Sequence, residues 1–396
     1  MFRRIIHNLL LFLAFLVAGL LIMEWGVRAL APQALVRGYN IPDPELGTYM
    51  APSVHYTDPY SFEGPYEVRT NAMGFRMDEE VSTSPDRLRV MVYGDSFTFG
   101  WGLDIQDTYF RALKTIAETA NPRLQLLNAA VGGYGTGHVK KLMARHIPAI
   151  EPAAIVYFFN NNDLLDNAIE DIDYQVTKLT FSETGEARLV DVKPFAPWKR
   201  FLITYTPYGW LNRRSHLFVL VKDQLKKILN WKRYLVRPKV STVPLPAKPK
   251  IAEPAFTLKL PRESQTREAL NRLVYLSELH VQRIAHIAHA AGVPMLLIWV
   301  PAPSEMFPPK KPTAEIRLLE KGRAMLRGLA SQMEGIDFID VVSKIDHDQA
   351  WRDRQSTLRL SDGHFNAAGS AWYAALVREP LLDFLKTVGT GSAVTK

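Results

Sequence analysis

The chain has 396 residues, of which 47% are hydrophobic and 22% charged, and its formal net charge at pH 7 is +8. This length and apolar fraction are those of a folded protein with a large core, which excludes an intrinsically disordered chain. The sequence contains no cysteine, so disulfide frameworks, thiolate metal sites and lipid-modified cysteines are excluded as well.

The first 30 residues predict a single-pass membrane anchor. Arg3 and Arg4 precede an apolar run over residues 9–23, which together with its apolar flanks reaches the ~20 residues of a bilayer span. A cleaved signal peptide is the alternative, but Pro32 follows the small-x-small site at 29–31 and hinders cleavage. Because the positive flank faces the cytoplasm, the anchor is expected in the inner (cytoplasmic) membrane, with the later residues outside the cytoplasm, in the periplasm if the cell is Gram-negative.

Apolar runs and amphipathic stretches alternate beyond the anchor. Strands are predicted at 88–93, 124–128, 153–159, 294–300 and 336–342. Helices are predicted at 105–120, 137–148, 262–291, 313–333 and 367–386. This alternation indicates an α/β fold, in which helices cover both faces of a parallel sheet. The predicted parts are an anchor at 1–30, an N-terminal extension at 31–85, a first part of the α/β domain at 86–169, an insertion at 170–260 and a second part at 261–390.

The insertion is strongly basic. Between Lys199 and Lys250 there are 13 lysines and arginines and one acid, Asp223, so this segment carries +12 and the rest of the chain −4. Interleaved apolar residues fit a basic amphipathic helix on an anionic membrane surface, or a cap that attracts an anionic polymer. The alternative is a solvent-exposed, partly packed insertion without a binding role. No nucleic acid partner is expected, because an extracytoplasmic domain does not meet nucleic acid.

A Gly-Asp-Ser sequence follows the first predicted strand of the sheet, at Gly94, Asp95 and Ser96. The carboxyl ends of strands in an α/β sheet open into the crevice where ligands bind, and a turn there lifts a side chain out of the packed layer. Ser96 is therefore placed where a nucleophile would lie. Asp95 is expected to be a turn or capping residue, since aspartate readily hydrogen-bonds its own turn backbone.

Three further segments bring complementary chemistry to the ends of predicted elements. The glycine-rich turn at 129–135 follows the second strand and allows the backbone to approach a ligand closely. The asparagines at 160–162 follow the third strand and can donate hydrogen bonds. His364 lies two residues after Asp362, so a base and a carboxylate that could orient it stand together. Asp362 could instead cap the last helix, as could Asn366.

These four segments, in this chain order, resemble the conserved blocks of the SGNH/GDSL hydrolase family. The resemblance covers residues of about 70–175 and 285–386, and it implies a three-layer α/β/α sandwich with a parallel, flavodoxin-like sheet. The segment at 70–76, upstream of the serine, also resembles bacterial members of the family that have an N-terminal membrane anchor.

The resemblance also implies roles for individual residues. Ser96 matches the nucleophile and His364 the general base, while Asp362 is implied to hold the imidazole. The backbone N–H groups of Ser96 and Gly133 and the side chain of Asn162 are implied to be the oxyanion donors. A serine hydroxyl needs such a base, and a tetrahedral intermediate needs such donors.

The sequence departs from the family pattern in two blocks. The third block usually reads Gly-x-Asn-Asp, and Asn160 stands in the glycine position, so the choice among Asn160, Asn161 and Asn162 as oxyanion donor stays open. The last block is more often Asp-x-x-His, and Ser361 occupies the place of that aspartate. The Asp-x-His spacing also resembles the related polysaccharide acetyltransferase branch, which keeps acyl transfer as an alternative.

The expected protein is a serine esterase that removes an acyl group, above all acetyl, from a carbohydrate or envelope glycan through an acyl-enzyme. An O-acyltransferase acting on a periplasmic polysaccharide is one alternative, and a non-catalytic envelope binding or assembly protein is another. No metal or organic cofactor is implied. His280, His286 and His289 share a predicted helix, but no carboxylate completes a metal site with them.

Overall fold

A computed structural model describes residues 2–31, 39–43, 45–58, 65–166, 177–181, 187–191, 206–229, 267–309, 311–345 and 363–388. The chain divides into two compact units. One unit, here the helical unit, comprises 1–42 and 195–250, and the other, the α/β unit, comprises 43–194 and 251–396.

In chain order the described strands are β1 (Asn40–Asp43), β2 (Gly47–Met50), β3 (His55–Asp58), β4 (Tyr66–Arg69), β5 (Leu88–Tyr93), β6 (Leu124–Asn128), β7 (Ala154–Asn160), β8 (Thr177–Phe181), β9 (Ala187–Asp191), β10 (Met295–Val300) and β11 (Ile336–Ile339). The described helices are α1 (Phe2–Leu30), α2 (Ser96–Phe99), α3 (Tyr109–Ala120), α4 (Thr136–Ile150), α5 (Asp163–Asp166), α6 (Pro207–Arg214), α7 (His216–Leu229), α8 (Arg267–Ala290), α9 (Pro303–Met306), α10 (Ala314–Gln332) and α11 (Ala367–Thr387).

Five strands form one parallel sheet in the order β11-β10-β7-β5-β6. Val92 of β5 pairs with Asn128 of β6 on one side and with Val156 of β7 on the other. In chain order this is the flavodoxin-like arrangement 2-1-3-4-5, as expected from the family resemblance. The order reverses at β5, and the crevice outside the carboxyl end of such a strand is where ligands bind in open α/β sheets.

Helices cover both faces of this sheet, which explains why its inner strands are largely apolar. On one face α3 packs against α11, and Phe110 and Tyr373 join Val92 in a single buried cluster. On the other face α8 packs between α4 and α10. There, His146 of α4 stacks on Tyr93 of β5. The predicted three-layer α/β/α architecture is confirmed.

Two predicted element boundaries are wrong for local reasons. The helix expected at 105–120 is divided, because Thr108 ends a short 3₁₀ turn and caps α3 by accepting a hydrogen bond from Arg111 N at 3.2 Å. The last strand, expected to reach residue 342, ends at Ile339. Asp340 turns the chain there, since its Oδ1 accepts a hydrogen bond from Val342 N at 3.1 Å.

The helical unit contains α1, α6 and α7. α1 has 29 residues and is long and apolar enough to cross a membrane, and none of its residues is buried. α6 and α7 are the helices described within the basic part of the predicted insertion, which otherwise lies outside the described residues at 192–205 and 230–260.

Candidate active site

Ser96 is the first residue of α2, a single helical turn that follows β5 after two residues. Asp95 is the N-cap of this turn, because its Oδ1 accepts a hydrogen bond from Phe97 N at 2.9 Å. The capping role expected for Asp95 is therefore observed. Ser96 itself is half-buried, whereas Asp95 and Phe97 are enclosed, so the turn leaves only the serine within reach of a ligand.

The glycines on either side of α2 are required by its packing. A Cβ atom at Gly94 would lie 2.0 Å from Thr98 Oγ1, which no side-chain shift of a fraction of an ångström would relieve. Gly100 has φ +83°, a left-handed conformation that favours glycine, and a Cβ there would lie 2.2 Å from Thr108 Cγ2. The sharp turn that presents Ser96 thus depends on both glycines.

Arg76 supports the other end of the same turn. Its guanidinium is fully buried and lies 4.5 Å from the centroid of the Phe99 ring. It donates hydrogen bonds to four backbone carbonyl oxygens, those of Phe99, Gly100, Leu103 and Glu67, at 2.5 to 3.0 Å. The sequence singled out the segment at 70–76 only through its family resemblance. No local pattern shows that the Arg76 side chain reaches a turn more than 20 residues further along the chain.

His364 lies against Ser96, although 268 residues separate them in sequence. The distance from His364 Nε2 to Ser96 Oγ is 2.8 Å. The imidazole packs against Phe97, with ring centroids 4.8 Å apart, and lies 6.2 Å from the ring of Trp101. His364 and Trp101 are half-buried, as is Ser96. The structure thus brings together the two residues expected from the sequence as nucleophile and base. The aromatic rings of Phe97 and Trp101 lie beside them, which the sequence did not indicate.

Asp362, expected to orient the imidazole, lies outside the described residues. The last helix does not need Asp362 as its N-cap. α11 begins at Ala367, and its N-cap is Asn366, whose Oδ1 accepts a hydrogen bond from Gly369 N at 2.9 Å.

The asparagines at the end of β7 differ in their surroundings. Asn160 is fully buried, and its Nδ2 donates a hydrogen bond to Asp95 Oδ2 at 2.9 Å. Its Oδ1 accepts a hydrogen bond from Asn161 N at 2.7 Å, and Asn161 is also buried. Asn162 is half-buried, and its side chain is a second amide partner of Asp95. Asn162 is therefore the one member of this trio that is not fully enclosed.

Asp95 connects the turn that carries Ser96 with the end of β7. Burial raises the pKa of its carboxyl group, while the hydrogen bond from Phe97 N, the nearby His364 and the amides of Asn162 and Asn160 act to lower that pKa. The amide groups of Asn160 and Asn162, at the end of β7, thus bind the carboxylate of Asp95, which follows β5. The position of Asn162 relative to Ser96 consequently depends on Asp95.

The glycine-rich turn after β6 borders Ser96. A Cβ atom at Gly132 would lie 3.8 Å from Ser96 Cβ. Gly133, the glycine expected to donate to an oxyanion, has φ +81° and is exposed like Gly132. Val131 N donates a hydrogen bond to Gly94 O at 3.3 Å and so joins this turn to the turn that carries Ser96. Gly132 therefore lies next to Ser96. A Cβ atom at Gly133 would have no neighbouring atom within 4 Å.

The described part of the α/β unit therefore combines a serine hydroxyl, a histidine within hydrogen-bond distance, an amide side chain and an exposed glycine turn at one edge of the sheet. This set can activate an oxygen nucleophile and surround a developing negative charge. Among the described residues, no group of three or more His, Cys, Asp or Glu side chains is placed to hold a metal ion.

No protein-family model matches the sequence, and no curated protein shows a significant match to it. Several solved structures are similar to this one in fold. They include the esterase EstA from Pseudoalteromonas sp. (10% identity, 75% of this chain and 98% of that chain, TM-score 0.38), the acetyl xylan esterase AlAXEase (12%, 73% and 98%, 0.38) and a GDSL-like lipase from Bacteroides thetaiotaomicron (11%, 78% and 93%, 0.36). At these identities the likeness assigns no role to any residue of this chain.

Proposed function

We propose that this protein is a membrane-anchored serine esterase that hydrolyses an ester-linked acyl group. The observation that carries the proposal is the 2.8 Å distance between Ser96 Oγ and His364 Nε2 at the carboxyl end of β5, the strand at which the sheet order reverses. A serine hydroxyl is a poor nucleophile near neutral pH unless a base lies within hydrogen-bond reach. Acyl transfer from an ester to Ser96 is the reaction that this pair supports best.

In the proposed reaction, Ser96 Oγ attacks the carbonyl carbon of the ester while His364 Nε2 accepts the hydroxyl proton. The tetrahedral intermediate then breaks its bond to the alkoxide, which takes the proton from His364 and leaves as an alcohol. Water attacks the acyl-Ser96 ester with His364 again acting as base, and a carboxylic acid is released. Asp362 is proposed to hold the imidazole in the required tautomer.

The negative charge of the intermediate is proposed to be held by the backbone N–H of Ser96, an N–H of the turn at Gly132 and Gly133, and the side chain of Asn162. The open surface of Asn162 supports its choice over the enclosed Asn160. Asp95 is proposed as a positioning residue, since it binds the amide of Asn162 without facing the substrate. Each donor of this kind lowers the barrier by roughly 3 kcal/mol.

We further propose that α1 is an uncleaved inner-membrane anchor and that the α/β unit faces the periplasm. Arg3 and Arg4 supply the cytoplasmic positive flank. Glu24 of α1 accepts hydrogen bonds from the backbone of His216 and Leu217, contacts that a cleaved signal peptide would not keep. A periplasmic esterase meets envelope molecules, so an acetylated carbohydrate or envelope glycan is the proposed substrate.

Labelling by a fluorophosphonate probe tests the proposed nucleophile in the full-length protein. The wild type is expected to be labelled on the peptide that contains Ser96 and to turn over p-nitrophenyl acetate. Ser96→Ala and His364→Ala are expected to lose both properties, whereas Ser343→Ala, at an exposed serine of the same unit, is expected to keep them. Unchanged labelling of Ser96→Ala would contradict the assignment of the nucleophile.

Product analysis separates hydrolysis from transfer. The esterase is expected to release free acetate from an acetylated glycan even when an unacetylated sugar acceptor is present in excess. Acetyl groups recovered on the acceptor, with little free acetate, would show that the acyl-enzyme reacts with sugar hydroxyls and that the protein is a transferase.

A further inference from the structure

Exposed large apolar or aromatic side chains are unevenly distributed among the described residues. In the described part of the α/β unit one such side chain is exposed, that of Tyr275 at 46%. The helical unit exposes three on α6 and α7, in addition to those of α1: Trp210 at 56%, Val221 at 48% and Leu225 at 52%. Exposed apolar side chains that form one contiguous surface mark sites of interaction with proteins or membranes, so the arrangement of these three decides their meaning.

The exposed side chains of α7 form a stripe opposite its buried face. Val221 and Leu225 are four residues apart and therefore lie on one side of the helix. His216 and Val219 are buried, and at 100° per residue they lie almost half a turn away from this stripe. α7 thus packs within its own unit through one face and presents an apolar stripe on the other.

Glu24 of α1 fixes the start of α7. Its carboxylate accepts hydrogen bonds from Ser215 Oγ at 2.8 Å and from the backbone N–H groups of His216 and Leu217, each at 3.0 Å. Such N–H groups in the first turn have no partner within the helix. Glu24 directly follows the apolar run of α1, so α7 begins where the hydrocarbon of a bilayer gives way to headgroups.

The length and charge of α7 suit the membrane surface rather than its interior. At ~1.5 Å per residue, its 14 residues are shorter than the roughly 30 Å of a hydrocarbon core. The helix also contains Lys222 and Asp223, which are costly at the centre of a bilayer. Its surrounding segment is strongly basic, and basic helices with an apolar face bind at anionic lipid surfaces.

We propose that α6 and α7 form a second membrane contact, in which Trp210, Val221 and Leu225 enter the headgroup boundary of an anionic phospholipid bilayer next to α1. The proposal rests on α1 being the uncleaved anchor proposed above. The contact is continuous with the anchor, because Glu24 joins the two, and the basic residues provide charge complementary to anionic lipid. The occupant of the stripe is therefore lipid and not a protein.

Single-cysteine labelling tests this contact in the full-length protein, which has no native cysteine. Leu225→Cys and Trp210→Cys carry an environment-sensitive fluorophore, and Tyr275→Cys is the matched control, since Tyr275 is similarly exposed but lies in the α/β unit. The protein is reconstituted into phosphatidylcholine vesicles with and without phosphatidylglycerol. Labels at 225 and 210 are expected to show blue-shifted emission and about threefold slower quenching by iodide than the label at 275, more strongly with phosphatidylglycerol.

Each other outcome contradicts the proposal in a distinguishable way. Equal quenching of the labels at 225 and 275 in both vesicles would show that the stripe faces water. If protection of the labels at 225 and 210 from iodide rises with the protein-to-lipid ratio, and not with phosphatidylglycerol, a second copy of the chain covers the stripe. Release of the wild type by alkaline carbonate, or loss of its first 30 residues by mass, would instead show that the anchor assignment fails.

Glu24→Gln tests the link between the two helices. The variant is expected to stay in the membrane and keep its esterase activity, while iodide quenching of the label at Leu225 becomes about twofold faster. Glu24→Asp, which keeps the carboxylate, is expected to restore most of the protection. If quenching is the same in Glu24→Gln as in the wild type, Glu24 does not hold α7 at the bilayer.

Discussion

The two units treat apolar side chains in opposite ways. In the α/β unit all six residues of β10 are buried, whereas none of the 29 residues of α1 is buried. The α/β unit also encloses polar groups that bind each other, since Asp95 and Asn160 are both buried and hydrogen-bonded at 2.9 Å. This difference fits the proposal that the α/β unit folds in water while α1 lies in lipid. Substitutions should therefore act on catalysis or folding in one unit without changing membrane retention by the other.

The largest effect, a loss of catalytic activity without loss of membrane retention, is expected on substitution of Asp362. Asp362→Asn should lower kcat by about 10³–10⁴-fold, because an amide stabilises the wrong imidazole tautomer and cannot balance the imidazolium charge. Retention in carbonate-washed membranes should stay as in the wild type. The control Asn366→Ala removes the cap of α11 and should cost about 1 kcal/mol of stability with kcat maintained. An active Asp362→Asn variant would exclude the orienting role.

A smaller catalytic effect is expected at Asn162. Asn162→Ala should reduce kcat/KM by about 10²–10³-fold, since one preorganised oxyanion donor is lost. Steady-state kinetics with p-nitrophenyl acetate measure this reduction. Asn161→Ala is the matched control, because Asn161 is buried beside Asn160 and should not face the ester. A larger loss in Asn161→Ala than in Asn162→Ala would reverse the assignment.

A stability effect confined to the α/β unit is expected at Arg76. Arg76→Met should lower the free energy of unfolding by about 3 kcal/mol, because it removes the guanidinium that donates to the backbone carbonyl groups of Phe99, Gly100, Leu103 and Glu67. Thermal unfolding followed by tyrosine and tryptophan signals measures this change. Arg69→Met, at a nearby arginine that is about half-exposed, should change stability by less than about 1 kcal/mol. Similar melting of both variants would show that the buried contacts contribute little.

The smallest predicted effect depends on pH and concerns His146, which stacks on Tyr93 inside the α/β unit. Burial lowers the pKa of His146 from 6.5 to about 3, with a further contribution from the charge of Arg145. The unfolded chain therefore binds a proton below pH 6.5 that the folded protein does not bind. Stability should fall as pH drops from 6.5 toward 3, by about 2 kcal/mol at pH 5.

Denaturant unfolding at pH 7 and pH 5 measures this contribution. His146→Gln removes the titrating group and should make the fall between the two pH values about 2 kcal/mol smaller, whatever its effect at pH 7. His286→Gln, at an exposed histidine, is the control and should leave the fall unchanged. An equal fall in the wild type and His146→Gln would assign the acid sensitivity to other groups.

Much of the fold could be predicted from local patterns. The strands at 88–93 and 124–128 are observed as β5 and β6 with the expected bounds, because short, largely apolar runs that end in turn residues leave little choice of structure. The boundaries at Thr108 and Asp340 could not be read from periodicity. There, a side chain hydrogen-bonds to the nearby backbone and ends one element before another begins.

The sequence by itself determined most of the elements, the long apolar helix α1 and the types of residue at each strand end, since burial patterns and turn chemistry are local properties of the chain. Only the tertiary structure decided which of these residues meet. Asp95 binds Asn160 because β5 and β7 are neighbours in the sheet, and His364 reaches Ser96 although 268 residues separate them in sequence. The strand order depends on how helices and strands pack over the whole unit, and no short segment of sequence contains that information.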